Sequence, residues 1–409
     1  MRPAPLRPAH DPAADAGHFL FRLGLAVLMT ALPVGAALSR RLLFVLLPVG
    51  AVLAIAGAML VAERSVLAQV WRRALGATGL AALALALWVA LSHAWTPFPV
   101  QAAGRAFKLA ATAGLCALVI AAMPRRMRSS NLYLLPIGVA LAALAACAFA
   151  FLRPEASSAE LEGDLRERSG LILAVLVWPA AGALAARARW ALALALALVV
   201  CLAALVSGSP AALGALAAGA LVFSLVLARP GAALLAGMVF ALLAAAGPAI
   251  AILADRLLGG LAAASPFAQM LSAWADMALE QGLRTLTGHG FDAVARGVIT
   301  GYLPADGPRG LMFSLWFELG IVGALLAAFL VLRAFRVAGD LPRPLGAFLA
   351  GGLSAVLIVS MATPAAYQLW HATVVAVAAV GFAAAARMPQ RSTRPAAAGA
   401  LVTDAPRRL

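Results

Sequence analysis

Apolar residues fill this chain in runs of about twenty, separated by short polar or basic breaks. A helix needs ~20 such residues to cross a hydrocarbon layer ~30 Å thick. Twelve runs qualify, near 19–38, 42–62, 74–94, 103–122, 132–152, 170–186, 189–207, 211–228, 231–253, 311–333, 344–362 and 366–386. The pattern predicts an all-α, polytopic integral membrane protein of about 12 transmembrane helices. Tails at 1–18 and 387–409 flank spans within 19–253 and 311–386, and one long polar interval, 254–310, separates the ninth span from the tenth.

That interval carries a pattern of its own. Ser265-Pro266 reads as a helix start, a capping hydroxyl followed by proline at the first helical position. Phe267, Met270, Leu271, Trp274 and Met277 then recur every three or four residues, with Gln269, Ser272, Asp276 and Glu280 on other faces. This predicts an amphipathic helix that lies along the membrane surface, caps the bundle or packs on its neighbours.

Composition sharpens the class. Of 409 residues, 64% are hydrophobic and 11% charged, whereas a soluble domain is about 25% charged. The net charge of +15 points to basic cytoplasmic loops and not to a nucleic-acid partner. With the N-terminus inside, the even-numbered loops hold the arginines: Arg64, Arg72 and Arg73; Arg125, Arg126 and Arg128; Arg187 and Arg189; Arg229; Arg333, Arg336 and Arg343. The tail adds Arg387, Arg391 and Arg394. The fifth loop is acidic, with Glu155, Glu160, Glu162, Asp164 and Glu167, and only Arg40 and Arg41 run against the alternation. Both termini are therefore expected in the cytoplasm and 254–310 in the periplasm. The Ala, Leu, Gly and Arg bias, with Lys108 the only lysine, suggests a GC-rich bacterial genome. The N-terminus shows no cleavable signal pattern, so the first apolar run is expected to stay as a helix.

Candidate chemistry is sparse. Cys116, Cys147 and Cys201 lie in apolar runs and offer neither a disulfide framework nor metal spacing. No nucleotide-binding glycine loop, HExxH or GxSxG is present, and no cofactor is implied. Ionisable groups in or beside spans are costly and become the leads. Arg105 and Lys108 open the fourth span, Arg168 precedes the sixth, Glu318 lies one to two turns into the tenth and His371 starts the twelfth. Arg284, Arg296 and Arg309 occupy the long interval. Guanidinium groups at a membrane surface suit a pyrophosphate, because the planar fork meets phosphate oxygens in pairs. The alternative is that each snorkels to lipid headgroups.

Several short stretches, in order, carry a resemblance. They are Leu91 to Pro99 running into Arg105-Ala106-Phe107-Lys108-Leu109; Arg166-Glu167-Arg168-Ser169-Gly170 ahead of Trp178-Pro179; and Ser207-Gly208-Ser209-Pro210-Ala211-Ala212. Gly288-His289-Gly290-Phe291-Asp292 with Arg296, and Arg309-Gly310 ahead of Gly320 and Gly323, complete the set. Together they resemble the O-antigen ligase / O-antigen polymerase family, bacterial membrane glycosyltransferases that use undecaprenyl-diphosphate-linked glycans. The chain departs from that pattern at five places. Arg309 stands where the family has a loop histidine, Gly310 where an asparagine follows it, and Met270 where an arginine precedes the loop tryptophan. His289 occupies a position usually held by tryptophan, and Glu167 one usually held by asparagine.

The resemblance implies a metal-independent, inverting transfer. Arg168, with Arg296, Arg309 and Arg105, would hold the diphosphate of an undecaprenyl-diphosphate-linked glycan. A hydroxyl of lipid A–core or of another glycan chain would attack the anomeric carbon. His289, Asp292 or Glu318, in that order, would accept its proton. Two alternatives remain: a non-catalytic partner subunit of a polysaccharide assembly complex, and a lipid-glycan transporter.

Overall fold

The computed structural model describes residues 12–61, 70, 75–124, 127–152, 159–229, 231–258, 266–280, 282, 284–301, 303 and 308–388. The expected helix cap Ser265, the arginines 64, 72, 73, 125, 126, 391 and 394, and Glu155 lie outside them. The described residues are 87% helical with no strand.

In chain order the helices are α1 (Pro12–Leu38, with a π-helical turn at Val27–Ala31), α2 (Arg40–Val61), α3 (Ala77–Ser92) and α4 (Pro99–Ala122). A 3-10 turn at Ser129–Tyr133 leads into α5 (Leu134–Leu152), followed by α6 (Ala159–Ala185), α7 (Trp190–Val206), α8 (Pro210–Ala228) and α9 (Ala232–Ala245). α10 (Gly247–Leu258) leads into the long interval, which holds α11 (Pro266–Glu280), α12 (Arg284–Thr287) and α13 (Ala293–Ile299). The chain ends with α14 (Leu311–Asp340), α15 (Leu345–Ala362), a 3-10 turn at Pro364–Tyr367 and α16 (Leu369–Ala386).

Among the described residues nine helices are long and apolar enough to cross a membrane, ten if α9 and α10 count as one bent span. α3 and α7 are apolar but shorter. Leu83, Leu87, Phe107, Leu144, Leu194, Leu198, Leu221 and Leu242 are all exposed on outer helix faces. So much outward apolar surface suits lipid and not water, and the protein is a multi-pass membrane protein. Residues 168–185 of α6 are all buried, ringed by α1, α5, α7, α8, α15 and α16.

Three segments differ from the sequence expectation. The expected ninth span, 231–253, is bent by 79° between α9 and α10. Pro248 lacks an N–H and its ring would strike the carbonyl four residues back, so the first helix stops before it. α6 starts at Ala159, placing Glu160, Glu162 and Asp164 on its first turns instead of in a loop. α14 continues to Asp340 but is interrupted at Gly320, which has φ 63° and ψ −164°.

These helices frame one end of the bundle. α3 runs antiparallel to α14: Arg333 Nε donates to Thr78 Oγ1 (3.3 Å) toward one end, and Trp88 Nε1 donates to the Leu319 carbonyl (2.9 Å) toward the other. α4 packs on α2 and α16 and barely touches α3, leaving a cleft between them. α11 packs against α10 and the start of α14, with Trp274 edge-on to Phe313 at 5.8 Å.

Candidate functional site

The interruption of α14 builds the site. Breaking a helix frees its carbonyls, and unsatisfied backbone groups at membrane depth cost several kcal/mol each. Here they are claimed from outside the helix. The His289 N–H donates to the Phe317 carbonyl (2.7 Å), the Gly290 N–H to that of Glu318 (2.9 Å), and the Trp88 indole to that of Leu319. Such a strand-like docking needs backbone on backbone. A Cβ on Gly320 would collide with the Leu286 carbonyl, and one on Gly290 with the Thr96 backbone; both glycines also have positive φ.

The docked segment is tied down further. Thr96 Oγ1 donates to the Phe291 carbonyl (2.9 Å), and the Phe291 N–H donates to Ser92 Oγ (3.2 Å). The His289 ring stacks on Phe317, centroids 4.0 Å apart and 7° from parallel. Its Nδ1 lies 3.2 Å from the Phe317 carbonyl, and a carbonyl can only accept, so Nδ1 carries the proton. Burial lowers the His289 pKa below its ordinary value, the nearby Arg284 charge adds to that, and the bond to Phe317 opposes it.

Asp292 follows in the left-handed region (φ 66°) and is 2% exposed. Its Oδ1 accepts from Arg105 Nη1 at 2.7 Å and its Oδ2 from Arg296 Nε at 3.4 Å. Arg105 Nη2 also donates to the Ala366 carbonyl (3.2 Å), and its guanidinium lies over the rings of Phe291 (5.0 Å) and Tyr367 (5.2 Å). Glu318 is buried and its Oε1 accepts from the Val294 N–H (3.1 Å), so it holds the start of α13. The Tyr367 hydroxyl hydrogen-bonds Ser314 Oγ. Burial and the Glu318 charge raise the phenol's pKa, against the Ser314 bond and the Arg105 and Arg309 charges; the phenol is therefore neutral.

These groups stand at the end of a cavity of about 640 Å³ between α3, α4 and α14. Leu85, Val89, Ala106, Leu109, Leu315 and Leu330 make an apolar wall; His93, Arg105, Ser314, Glu318 and Tyr367 supply the polar end. Val100 and Phe107 on α4 face outward and are exposed. The chain matches no known protein family, no curated protein and no solved structure.

The structure gathers some expected residues and separates others. Arg105, Asp292 and Arg296 are joined directly, and Glu318 is electrostatically coupled to the first two. Arg309 is exposed at the foot of α14 and acts on Tyr367. Of the three expected proton acceptors, only Glu318 lines the cavity; His289 stacks behind it and Asp292 is engaged by two guanidiniums. Arg168 does not line the cavity. It is 4% exposed in α6, and its neighbours Arg166 and Ser169 line a separate cavity of about 340 Å³ against α1, α5 and α7. His371 is buried on Ser360 Oγ (2.9 Å), also apart. His93, Ser314 and Tyr367 were not singled out by sequence. His93 stood in plain view inside the Leu91–Pro99 stretch, but nothing in a linear reading brings Tyr367 or Ser314 to it.

Proposed function

We propose that the protein is a bacterial inner-membrane glycosyltransferase of O-antigen ligase or polymerase type. It binds an undecaprenyl-diphosphate-linked glycan in the α3–α4–α14 cavity and passes the glycan to an acceptor hydroxyl on lipid A–core or on another glycan. In this reading the chain crosses the membrane twelve times, both termini are cytoplasmic and the 254–310 interval, with α11–α13, lies in the periplasm. The observation that carries it is a cavity with apolar walls, open through the α3–α4 cleft, that ends on a guanidinium held between two aromatic rings. A polyprenyl tail matches the walls and a diphosphate matches the polar end.

Charge supports the assignment. Asp292 offsets one of the two guanidiniums it binds and Glu318, when ionised, the other, while exposed Arg309 adds a positive charge beside Tyr367. Fixed cations at a departing diphosphate stabilise charge as it develops, without reorganising during the reaction. Arg105, Arg296 and Arg309 serve this role; Arg168, placed elsewhere, does not.

A strain lacking the gene, complemented with the Arg105→Ala or Arg296→Ala variant, tests the reading on a surface-polysaccharide gel. Loss of long-chain ladders identifies a polymerase. Accumulated lipid-linked chains beside bare lipid A–core identify a ligase. A wild-type profile from the gene deletion itself rules out both.

A second reading, lipid-glycan transport, draws on the two interruptions, the 79° bend after α9 and the break at Gly320. Discontinuous helices near a binding site are common in transporters. Reconstituted protein that moves the lipid-linked glycan across a bilayer without consuming it would favour transport over transfer.

A further inference from the structure

We propose that His93 is the general base of the transfer, the group that takes the proton from the acceptor hydroxyl. This rests on the glycosyltransferase reading above. His93 caps the end of α3 and lines the cavity together with Arg105, Ser314, Glu318 and Tyr367. Its Nδ1 lies 2.7 Å from the Val89 carbonyl and 3.2 Å from that of Ala90. Carbonyl oxygens only accept, so the proton resides on Nδ1 and Nε2 keeps the lone pair. The backbone of its own helix thus fixes the tautomer that a base requires.

Position supports the role as well. The imidazole lies 6.3 Å from the Phe291 ring, and the same ring carries the Arg105 guanidinium at 5.0 Å. Phe291 thus contacts both the proton acceptor and the leaving-group cation, and both line the one cavity that would hold the reacting sugar. The other candidates are engaged. Asp292 gives one oxygen to each of two guanidiniums, Glu318 accepts from the Val294 N–H, and the Tyr367 hydroxyl is bound to Ser314.

The step balances. The acceptor oxygen bonds to the anomeric carbon while its proton passes to His93 Nε2. The bond from the anomeric carbon to the diphosphate oxygen breaks, and its electron pair leaves with the diphosphate. The imidazolium formed offsets the charge gained by the leaving group. Arg105 and Glu318 are the charged groups lining the cavity with His93; Tyr367 and Ser314 face it uncharged, and Asp292 and Arg296 extend the Arg105 cluster.

The test uses membranes of the producing cell with their own acceptor, supplied with radiolabelled undecaprenyl-diphosphate N-acetylhexosamine. Binding is read separately, with undecaprenyl diphosphate and the purified full-length protein in nanodiscs. His93→Ala should lower transfer by about 100-fold or more, leave undecaprenyl diphosphate binding within about twofold, and recover activity when imidazole is added. Transfer by His93→Ala above about half the wild-type rate would overturn the proposal. So would a loss accompanied by lost binding, or one that imidazole does not restore. If wild-type protein neither binds undecaprenyl diphosphate nor turns over the donor, the glycosyltransferase reading itself fails, which is a different outcome.

Discussion

At the scale of single residues, the Arg105–Asp292–Arg296 cluster is the structure's most exacting feature. Asp292 sits buried with a left-handed backbone, a conformation that surrounding contacts must enforce. Removing a partner from such a pair leaves a buried charge uncompensated, at a cost of about 3–5 kcal/mol. Arg105→Met should therefore lower unfolding stability in nanodiscs by that order, and adding Asp292→Asn should recover part of the loss. An additive double mutant would show that the pair is not coupled. His289 gives a pH signature. Burial depresses its folded pKa, so the unfolded chain takes up a proton first as pH falls through about 6.5. Its contribution is intact above about pH 7 and declines on acidification toward the folded value. The unfolding midpoint of His289→Gln, compared with wild type at about pH 7.5 and about pH 5.5, should show a smaller acid loss.

At the scale of elements, the decisive event is the break in α14. Gly320 adopts a backbone conformation reached almost only by glycine, and an added Cβ would collide with the Leu286 carbonyl. Gly320→Ala should expel the 288–290 segment and cost more than about 3 kcal/mol. Gly114→Ala, in open space on α4, should be neutral or mildly stabilising. Thermal unfolding of both variants, side by side, checks this. Little of it could be read from sequence. Trp316 to Gly323 reads as ordinary apolar helix, because the cause of its break, the docked Gly288–Gly290 backbone, comes from a different segment. The bend after α9 had a local sign, Gly247-Pro248, inside an otherwise continuous apolar run. Apolar periodicity, by contrast, reports lipid contact directly, so the all-helical membrane class was legible from it.

At the scale of the whole molecule, the bundle has a central helix, α6, buried over residues 168–185, and a peripheral cleft between α3 and α4 where the candidate site lies. Arg105, Asp292, Arg296 and Glu318 were each singled out in the sequence, but nothing there showed that they meet. Arg105 and Asp292 are 187 residues apart in sequence, and no periodicity connects them. Arg168, which the motif likeness had grouped with them, faces a separate environment. Orientation can be checked in a background lacking Cys116, Cys147 and Cys201. Glu280→Cys should react with a membrane-impermeant maleimide added to intact cells whose outer layer is opened, and Asp340→Cys only after the inner membrane is breached. The reverse pattern would place the loop in the cytoplasm.

The most direct measurement is photo-crosslinking with undecaprenyl diphosphate carrying a diazirine near its headgroup, followed by peptide mapping of the labelled protein. Occupancy of the α3–α4–α14 cavity predicts label on the segments bearing Val89, Ala106 and Leu315, reduced by Arg105→Ala. Label confined to α1, α5 and α7 around the second cavity, or labelling indifferent to Arg105, would contradict it.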